Sequence, residues 1–492
     1  MTTTKFEKSI FIFALAWYLI TAYFSNGYYH ADEHYQIIEF AKLKRGTNIP
    51  SDLSWEYHEQ IRSTIQPALC FVILKSLHLI SITDPYIQAL LLRILTCLFA
   101  VFTISFFSFS CKKYIHPKNW NTFYFLSFFV WFLPFINVRF SSETYSGLLF
   151  LLAISMILRE RNSSRHFIII GILLGLSFIF RFQTIALTFG IIAWLMFVKK
   201  TPINKCLFLF IGFSTSVVIG VIIDCWFYNN FVLTAWKYFY SNIVNDVASN
   251  FGTSPWYYYF YYIFRYSFFP IGIAILLSFI LLLTKQPKSI FIWAVIPFII
   301  LHSIIPHKEL RFLFPIVLLI PVFLMLAFQE IKNQTEYSSL ILKRSVSFLL
   351  ISLGVINLIG LTVASTKPAG NGAIKITEDI DKNTSCNQIC LIEKNGSNPF
   401  DPWDGLIAKF YLQHDLTTFD LNSFPASEML NNECTFLVLK KEDVKDSVVC
   451  NFIKQHNLQH VSQSVPAWMD GLLNLYGGYD SKQTLILYKK KI

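Results

Sequence analysis

The apolar segment IFIFALAWYLITAY, residues 10–23, is followed closely by HADEHYQIIEF, residues 30–40. The first segment has the composition of a membrane-spanning helix. The second opens a polar, helix-like pattern in which the acidic pair Asp32-Glu33 lies just outside hydrocarbon. Carboxylates at that depth are energetically costly unless they are solvated or take part in binding or catalysis. Two interpretations stand: a base that takes a proton from a hydroxyl at the membrane surface, or an acidic cap on a helix N-terminus.

The composition of the whole chain agrees with a membrane protein. Of its 492 residues, 54% are hydrophobic and 14% are charged, and 50 are Phe. Repeated long apolar runs predict a polytopic membrane protein. The net charge of +11 does not indicate nucleic-acid binding, because Lys and Arg cluster in short loops between apolar runs, as membrane topology requires.

Hydropathy predicts a mainly α-helical chain with about eleven transmembrane helices. The predicted spans are 10–25, 87–110, 121–136, 143–158, 167–181, 184–198, 204–223, 266–284, 289–305, 312–329 and 345–364. The run 67–80 is too short for a comfortable crossing, so it is interpreted as an interfacial or re-entrant helix. With that choice every strongly basic short loop lies on the cytosolic side, as the positive-inside rule predicts. The N-terminus is then cytosolic and the C-terminal tail is not.

Two domains are predicted. Residues 1–365 form the transmembrane domain, with a first outer loop at 26–66 that carries interfacial helices. Residues 366–492 lack apolar spans and contain short β-like runs, so they form a small soluble α/β or α+β domain. Its cysteines are either disulfide-bonded or free buried thiols; they are Cys386, Cys390, Cys434 and Cys450. Their spacing does not form a zinc pattern, and no metal site is predicted.

The same topology places the unusual polar residues in outer loops. They are Asp32, Glu33, Trp55, Glu56, Arg62, Arg139, Asp224, His307, Lys308 and Arg311. One common site and a set of ordinary solvated loop charges are the two interpretations.

The element HKELRF, residues 307–312, has the densest charge among these loops. His307, Lys308 and Arg311 can bind a phosphate, Arg through paired hydrogen bonds and Lys as a point charge. The alternative is an interfacial cluster of snorkelling cations, although basic clusters are disfavoured on the outer side. Arg62 is a second candidate anion ligand, and Trp55 either stacks on a sugar or anchors the loop at the interface.

Taken together, these residues resemble glycosyltransferase family 22, the lipid-linked mannosyltransferases of GPI-anchor and N-glycan assembly, which have a GT-C fold. The similar elements, in order, are HADEHYQ, SWEYHEQIRSTIQP, LLR around Arg93, VRFSSETYSG, DCWFYNN, FGTSPWYYY and HKELRFLFP. The branch that adds the third mannose of the GPI core is the most similar. The chain departs from the family in reading HADE where a Pro often precedes the acidic pair, and FYNN where FYG is common.

The resemblance implies a metal-independent, inverting transfer from a polyprenyl-phosphate sugar, usually dolichyl-phosphate mannose, to a glycolipid or lipid-linked glycan. The donor is a co-substrate, and no cofactor is expected. Asp32 is the first candidate for the base and Glu33 the second. His307, Lys308 and Arg311 match the element near the donor phosphate, and Arg62 and Arg139 match further polar positions. Trp55, Glu56 and Asp224 are candidate sugar or acceptor contacts.

The alternative function is a transporter or flippase for a lipid-linked or anionic solute. Transporters tend to have inverted repeats and polar breaks near the middle of the membrane, whereas these polar residues are predicted at one face. A ligase or polymerase acting on other lipid-linked sugars is a third possibility. The expected partners are the lipid bilayer, the donor lipid and the acceptor. The expected location is the endoplasmic reticulum or a bacterial inner membrane, with the active site on the non-cytosolic face.

Overall fold

The computed structural model describes residues 4–335, 340–402, 405–422, 434–473 and 479–490. It divides into two compact units. The first unit consists of residues 1–21, 59–68 and 94–365, and the second of residues 22–58, 69–93 and 366–492. The predicted domain boundary at 366 stays a prediction.

The chain is mainly α-helical, as predicted, with one sheet near its C-terminus. The α-helices are α1 (Lys5–Phe24), α2 (Ala31–His34), α3 (Phe40–Lys44), α4 (Trp55–Glu59), α5 (Ile65–Leu79), α6 (Pro85–Cys111), α7 (Trp120–Phe129), α8 (Leu133–Asn137), α9 (Ser142–Leu158), α10 (Ser164–Phe180), α11 (Ile185–Ala193), α12 (Ile203–Tyr228), α13 (Thr234–Phe239), α14 (Tyr258–Tyr266), α15 (Phe269–Lys285), α16 (Ile290–Ile304), α17 (Phe314–Val317), α18 (Ile320–Thr335), α19 (Leu340–Thr366), α20 (Ala373–Lys382), α21 (Ser447–Gln455) and α22 (Asp470–Leu473). Single π-turns occupy Tyr35–Glu39, Trp194–Val198 and Tyr240–Val244. The strands are β1 (Gln388–Glu393), β2 (Asp415–Asp420), β3 (Thr435–Lys440), β4 (Leu458–Gln463) and β5 (Leu485–Lys490).

Fewer helices than predicted are clearly long enough to span a membrane. Among the described residues, four helices qualify by length and apolarity: those in 5–24, 85–114, 203–228 and 343–366. Two bent pairs, α15 with α16 and 310–317 with α18, raise this number to six if each pair is one span. The eleven-span prediction is therefore not confirmed. Helix α5 has 15 residues, fewer than the roughly 20 that a crossing needs.

The predicted span 121–136 is divided into two helices in the structure. Helix α7 ends at Phe129, and α8 begins at Leu133 with Pro134 in its first turn. The side chain of Asn357 in α19 pairs with the interrupted backbone: its Nδ2 donates to the Phe129 carbonyl at 2.7 Å, and its Oδ1 accepts from Trp131 N at 2.9 Å. Backbone groups in an apolar environment need such partners, so Asn357 compensates for the break.

Small residues allow α10 and α12 to pack closely. A Cβ atom added at Gly171 would lie 2.0 Å from the Leu209 carbonyl oxygen, and one at Gly212 would lie 2.1 Å from the Ile168 carbonyl oxygen. These distances leave no room for a side chain at either position. Backbones that approach this closely through small residues are typical of helix pairs in membranes.

The sheet of the second unit has the strand order β2-β1-β3-β5-β4. The β1 pairings with β2 and β3 are parallel, and the β5 pairings with β3 and β4 are antiparallel. Alternate residues of β3 face opposite sides: Phe436 and Val438 join a core with α20, whereas Leu437 and Leu439 join a core with α21. The prediction of a small C-terminal sheet with helices is confirmed.

Two of the four C-terminal cysteines are paired. A disulfide joins Cys386, just before β1, to Cys434, just before the neighbouring strand β3. Cys390 and Cys450 lie outside this disulfide, and burial raises the pKa of Cys390. The disulfide alternative thus holds for Cys386 and Cys434 and the buried-thiol alternative for Cys390, whereas Cys450 is partly exposed.

Candidate active site

The acidic pair lies at the start of α2 in the second unit, and its two carboxylates have different surroundings. Asp32 is partly exposed, and its Oδ1 lies 3.6 Å from His30 Nδ1. Glu33 is buried, and its Oε2 accepts a hydrogen bond from Tyr29 N at 2.9 Å. Adjacent helical residues point in different directions, and here one carboxylate folds back onto the backbone while the other remains partly accessible. That Asp32 rather than Glu33 meets a substrate stays a prediction.

Two residues of the same segment that sequence reasoning did not single out form a buried anchor. His34 is stacked between the rings of Tyr28 and Tyr411, at centroid distances of 4.7 and 5.3 Å. His34 Nε2 lies 2.9 Å from Glu39 Oε1, and Glu39 also accepts from Asn48 Nδ2 and the backbone N of residue 410. The segment that carries Asp32 is therefore fixed to residues of the C-terminal part within the second unit. In the sequence these two residues stand in a polar, helix-like stretch that did not distinguish them from their neighbours.

Trp55 and Glu56 begin α4 in the second unit. Glu56 is buried and accepts a hydrogen bond from Gln36 Nε2 at 2.7 Å. Trp55 is partly exposed. Glu56 therefore holds α4 against the segment that follows Asp32, and a sugar or acceptor contact by either residue stays a prediction.

The HKELRF element belongs to the first unit. It follows α16, and its last three residues lie in a 3-10 turn at Leu310–Leu313. Arg311 donates through Nε to Glu309 Oε2 at 2.5 Å and through Nη1 to Glu143 Oε1 at 3.1 Å. The same Glu143 oxygen accepts from Arg181 Nη1 at 2.7 Å. His307 Nε2 lies 2.9 Å from Glu309 Oε1. A continuous chain of alternating charge therefore runs from His307 to Arg181.

This chain was only partly predicted. The sequence grouped Arg311 with His307, but Glu143 and Arg181 lie far away along the chain and become partners only in the folded unit. Glu143 is placed by the N-terminus of α9, where Ser141 caps the helix. The pKa of His307 is raised, chiefly by its hydrogen bond to Glu309.

Lys308 has a different environment from the one the sequence suggested. Its side chain is buried, and Nζ donates to the carbonyl oxygens of Ser254 at 3.0 Å, Ile305 at 2.6 Å and Pro306 at 3.5 Å. Burial lowers the pKa of its ammonium group. In this geometry Lys308 ties the loop at 252–254 to the end of α16, and a phosphate contact stays a prediction.

Charged side chains of both signs meet in this cluster. Lys308, Arg181 and Arg311 carry three positive charges, and Glu143 and Glu309 carry two negative ones. All but Glu309 are buried. Buried guanidinium groups can bind an anionic ligand through charge-assisted hydrogen bonds.

Buried polar atoms without hydrogen-bond partners lie beside the chain. Among the described residues, His302 Nε2 and Arg181 Nε lack a partner although both side chains are buried. The Tyr259 and His302 rings are 6.1 Å apart, and the Arg181 guanidinium lies 4.8 Å from the Phe312 ring centroid. Buried polar groups are normally paired, so this side of the cluster has unused hydrogen-bonding capacity. Sequence reasoning missed Tyr259 and His302, because they sit in aromatic and apolar runs.

The remaining predicted residues also belong to the first unit. Arg139 is buried with its guanidinium 5.4 Å from the Phe135 ring centroid, and Arg62 lies 5.7 Å from that of Tyr238. Asp224 is buried: its Oδ1 accepts from the backbone N and Oγ1 of Thr64, and its Oδ2 accepts from a second threonine hydroxyl. Asp224 therefore fastens the 59–68 segment to α12. An acceptor contact by Asp224 stays a prediction.

No group of three or more His, Cys, Asp or Glu side chains that could hold a metal ion occurs within the described ranges. The expectation of a metal-independent site stays a prediction.

Comparison with known proteins gives a consistent result. The Alg9-like mannosyltransferase family matches residues 9–400 of this chain. Mannosyltransferase APTG1 of Arabidopsis thaliana is 25% identical over 69% of this chain and 62% of that protein. GPI alpha-1,2-mannosyltransferase 3 of Bos taurus is 24% identical over 65% of this chain and 58% of that protein. The aligned part of this chain thus spans about three fifths of the length of these relatives.

Among solved structures, the crystal structure of ArnT from Cupriavidus metallidurans bound to undecaprenyl phosphate is similar over 98% of this chain and 97% of that chain. The TM-score is 0.52 and the sequence identity is 11%, so the likeness concerns the fold. It supports the predicted GT-C type of fold for the helical chain.

Proposed function

The chain belongs to the Alg9-like mannosyltransferase family, and on this premise we propose that it transfers mannose from a polyprenyl-phosphate donor to a hydroxyl of a glycolipid. The family match over residues 9–400 is the observation that carries the proposal. Relatives named GPI mannosyltransferase 3 favour a GPI-type glycolipid as the acceptor. The undecaprenyl phosphate bound to ArnT, a protein of similar fold, favours a lipid phosphate as the carrier of the sugar.

In this proposal the cationic cluster of the first unit stabilises the leaving group. When the bond to the anomeric carbon breaks, negative charge develops on the lipid phosphate. Preorganised cations in a poorly hydrated site stabilise such charge more effectively than water does. The two buried guanidinium groups of Arg311 and Arg181, which share Glu143, support this role. His307 and Lys308 complete the donor set, and Arg62 and Arg139 add further phosphate contacts.

Asp32 is the proposed general base. It takes the proton of the attacking hydroxyl while the phosphate leaves from the opposite face of the sugar, so one displacement inverts the anomeric centre. Only one catalytic carboxylate is required, in contrast to the two of a glycosidase. The hydrogen bond from Tyr29 N to Glu33 supports an orienting role for Glu33. Trp55, Glu56 and Asp224 are proposed to shape the sugar and acceptor contacts.

The proposal includes an eleven-span topology. It counts α15 and α16 as separate crossings, residues 310–332 as one, and the three shorter apolar segments 142–158, 164–180 and 182–198 as crossings. It also counts α7 with α8 as one span, although this pair does not qualify by length. The N-terminus is then cytosolic, and the active site faces the lumen of the endoplasmic reticulum or the periplasm.

The test is a transfer assay with purified protein and labelled mannose on a polyprenyl phosphate. Transfer to a GPI-type glycolipid is expected, and labelled nucleotide-linked mannose should not replace the lipid donor. The Lys308→Ala/Arg311→Ala double variant should weaken donor use most. Absence of transfer from any lipid donor, together with solute flux in liposomes, would support the transporter alternative and refute the proposal.

A further inference from the structure

A groove in the first unit is lined by residues other than the predicted site residues. It has a volume of about 360 Å³ and is formed by α1, α6 and α7. This volume is within the range of small-molecule sites, roughly 300–1,000 Å³. The groove lies at the ends of α1 and α6 that the predicted topology assigns to the cytosol. None of its lining residues takes part in the proposed transfer.

The walls of the groove are apolar. They are formed by Phe11 and Ile12 of α1 and by Phe109 of α6. Ile12 is 65% exposed in the structure, and both helices are apolar and long enough to span a membrane. An exposed apolar wall on a membrane helix normally faces a lipid chain.

The floor of the groove carries a polar pair. Ser105 Oγ and Tyr124 Oη lie 3.1 Å apart, and both residues line the groove. Tyr124 is buried. A hydroxyl can both donate and accept a hydrogen bond. The hydroxyl that accepts within the pair can therefore donate to an ester carbonyl.

The rim of the groove is positively charged. Glu7 lines it, but this carboxylate is buried and accepts from Lys112 Nζ at 3.1 Å, Trp120 Nε1 at 2.7 Å and Thr4 N at 2.6 Å. Its charge is therefore compensated by Lys112. Lys8, which also lines the groove, and Lys5, one helical turn away, are exposed. Among the described residues that line the groove, Lys8 is thus the cation outside the Glu7–Lys112 pair.

We propose that this groove binds an anionic glycerophospholipid of the surrounding leaflet. One acyl chain lies against Phe11, Ile12 and Phe109, an ester carbonyl accepts from the Ser105–Tyr124 pair, and the phosphate meets Lys8. The rim charge selects an anionic lipid over a zwitterionic one, because basic residues at a membrane surface attract anionic headgroups. The predicted cytosolic position agrees with this choice, since anionic lipids are concentrated in the cytoplasmic leaflet.

The experiment uses the full chain in nanodiscs that contain trace phosphatidylserine or phosphatidylcholine with a photoreactive acyl chain. Mass spectrometry then maps the cross-links. Phosphatidylserine should label peptides around residues 8–12 and 105–109 about fivefold more than phosphatidylcholine, which is the effect that about one lysine near an anionic surface supplies. Lys8→Glu should abolish this preference.

Two matched variants separate the groove from general lipid contact. Ile12→Trp fills the groove and should reduce phosphatidylserine labelling there severalfold. Ile20→Trp is the control, because Ile20 is a 44% exposed residue of the same helix that does not line the groove. Size-exclusion profiles and melting temperatures establish that each variant is folded; if Ile12→Trp does not fold, Lys8→Glu decides alone.

Equal labelling by the two lipids, or labelling that Lys8→Glu leaves unchanged, would overturn the proposal. A photoreactive polyprenyl phosphate that labels the groove in preference to phosphatidylserine would also overturn it, because the groove would then hold the donor lipid. Neither result depends on mannose transfer, so this test is independent of the proposed function.

Discussion

Replacement of Glu143 by Gln tests whether the chain of alternating charge positions Arg311. Glu143 is buried, and one of its oxygens accepts from both Arg181 at 2.7 Å and Arg311 at 3.1 Å. The substitution keeps the shape of the side chain and a carbonyl acceptor but removes the negative charge. Arg311 keeps its contacts with Glu309, so the variant should loosen Arg311 without releasing it.

The magnitude follows from the two hydrogen bonds. A hydrogen bond to a charged group contributes about 1.5–3 kcal/mol and a neutral one about 0.5–1.5 kcal/mol. Both guanidinium groups stay charged and only the acceptor becomes neutral, so a loss of about 1–1.5 kcal/mol for each bond gives about 2–3 kcal/mol together. If both arginines stabilise the leaving phosphate, this loss corresponds to roughly a 30- to 150-fold lower kcat/KM.

The assay is lipid-dependent mannose transfer, with the donor and acceptor concentrations varied separately. The matched control is Glu160→Gln, which also removes a carboxylate from an ion pair, but one that is exposed and pairs with Lys113 at 2.6 Å. Exposed pairs contribute little, so this control should retain activity. A Glu143→Gln enzyme within threefold of the wild type would refute the positioning role, as would an equal loss in the control.

Three further predictions concern the base, the packing and the effect of pH. Asp32→Asn should lower the transfer rate by about 10²- to 10⁴-fold, the usual contribution of a general base, with donor binding by equilibrium dialysis unchanged; near-normal turnover would place the base elsewhere. Gly212→Ala should lower the melting temperature in detergent, because overpacking costs about 1–3 kcal/mol and the added Cβ would lie 2.1 Å from a carbonyl oxygen. Gly354→Ala, with nothing within 4 Å, is its control, and equal melting temperatures would contradict the packing. The pKa of His307 is raised mainly by Glu309, so its contribution to stability is complete below its ordinary pKa of about 6.5 and is lost as the pH rises through the raised pKa. Melting temperatures measured across that window should decrease more in the wild type than in Glu309→Gln; parallel curves would refute this assignment.

The hydropathy of the sequence predicted where helices lie, because a helix satisfies the backbone hydrogen bonds of an apolar segment within that segment. It could not predict the break after Phe129, which depends on Asn357, a residue 228 positions away that pairs with the interrupted backbone. The sequence likewise did not predict that several helices are short, because the turns and bends that end them are known only from the structure. The span number is therefore the part of the fold prediction that is not confirmed.

Local motifs identified candidate site residues, but their partners depend on the folded chain. HKELRF was recognised as a cationic element, yet the sequence did not indicate that Lys308 donates to three backbone carbonyls or that Arg311 shares Glu143 with Arg181. Asp224 was predicted to lie in an outer loop, and in the structure it lies within α12 as a buried acceptor for threonine donors. Side-chain partners across long sequence separations decide these roles, and one sequence does not contain them.

The stereochemistry of transfer tests the central claim most directly. Purified protein would receive a polyprenyl-phosphate mannose of defined anomeric configuration and a GPI-type acceptor, and NMR would determine the configuration of the new glycosidic bond. A single displacement assisted by one carboxylate predicts the opposite configuration in the product. Retention of configuration, or a product made only from a nucleotide-linked donor, would contradict the account.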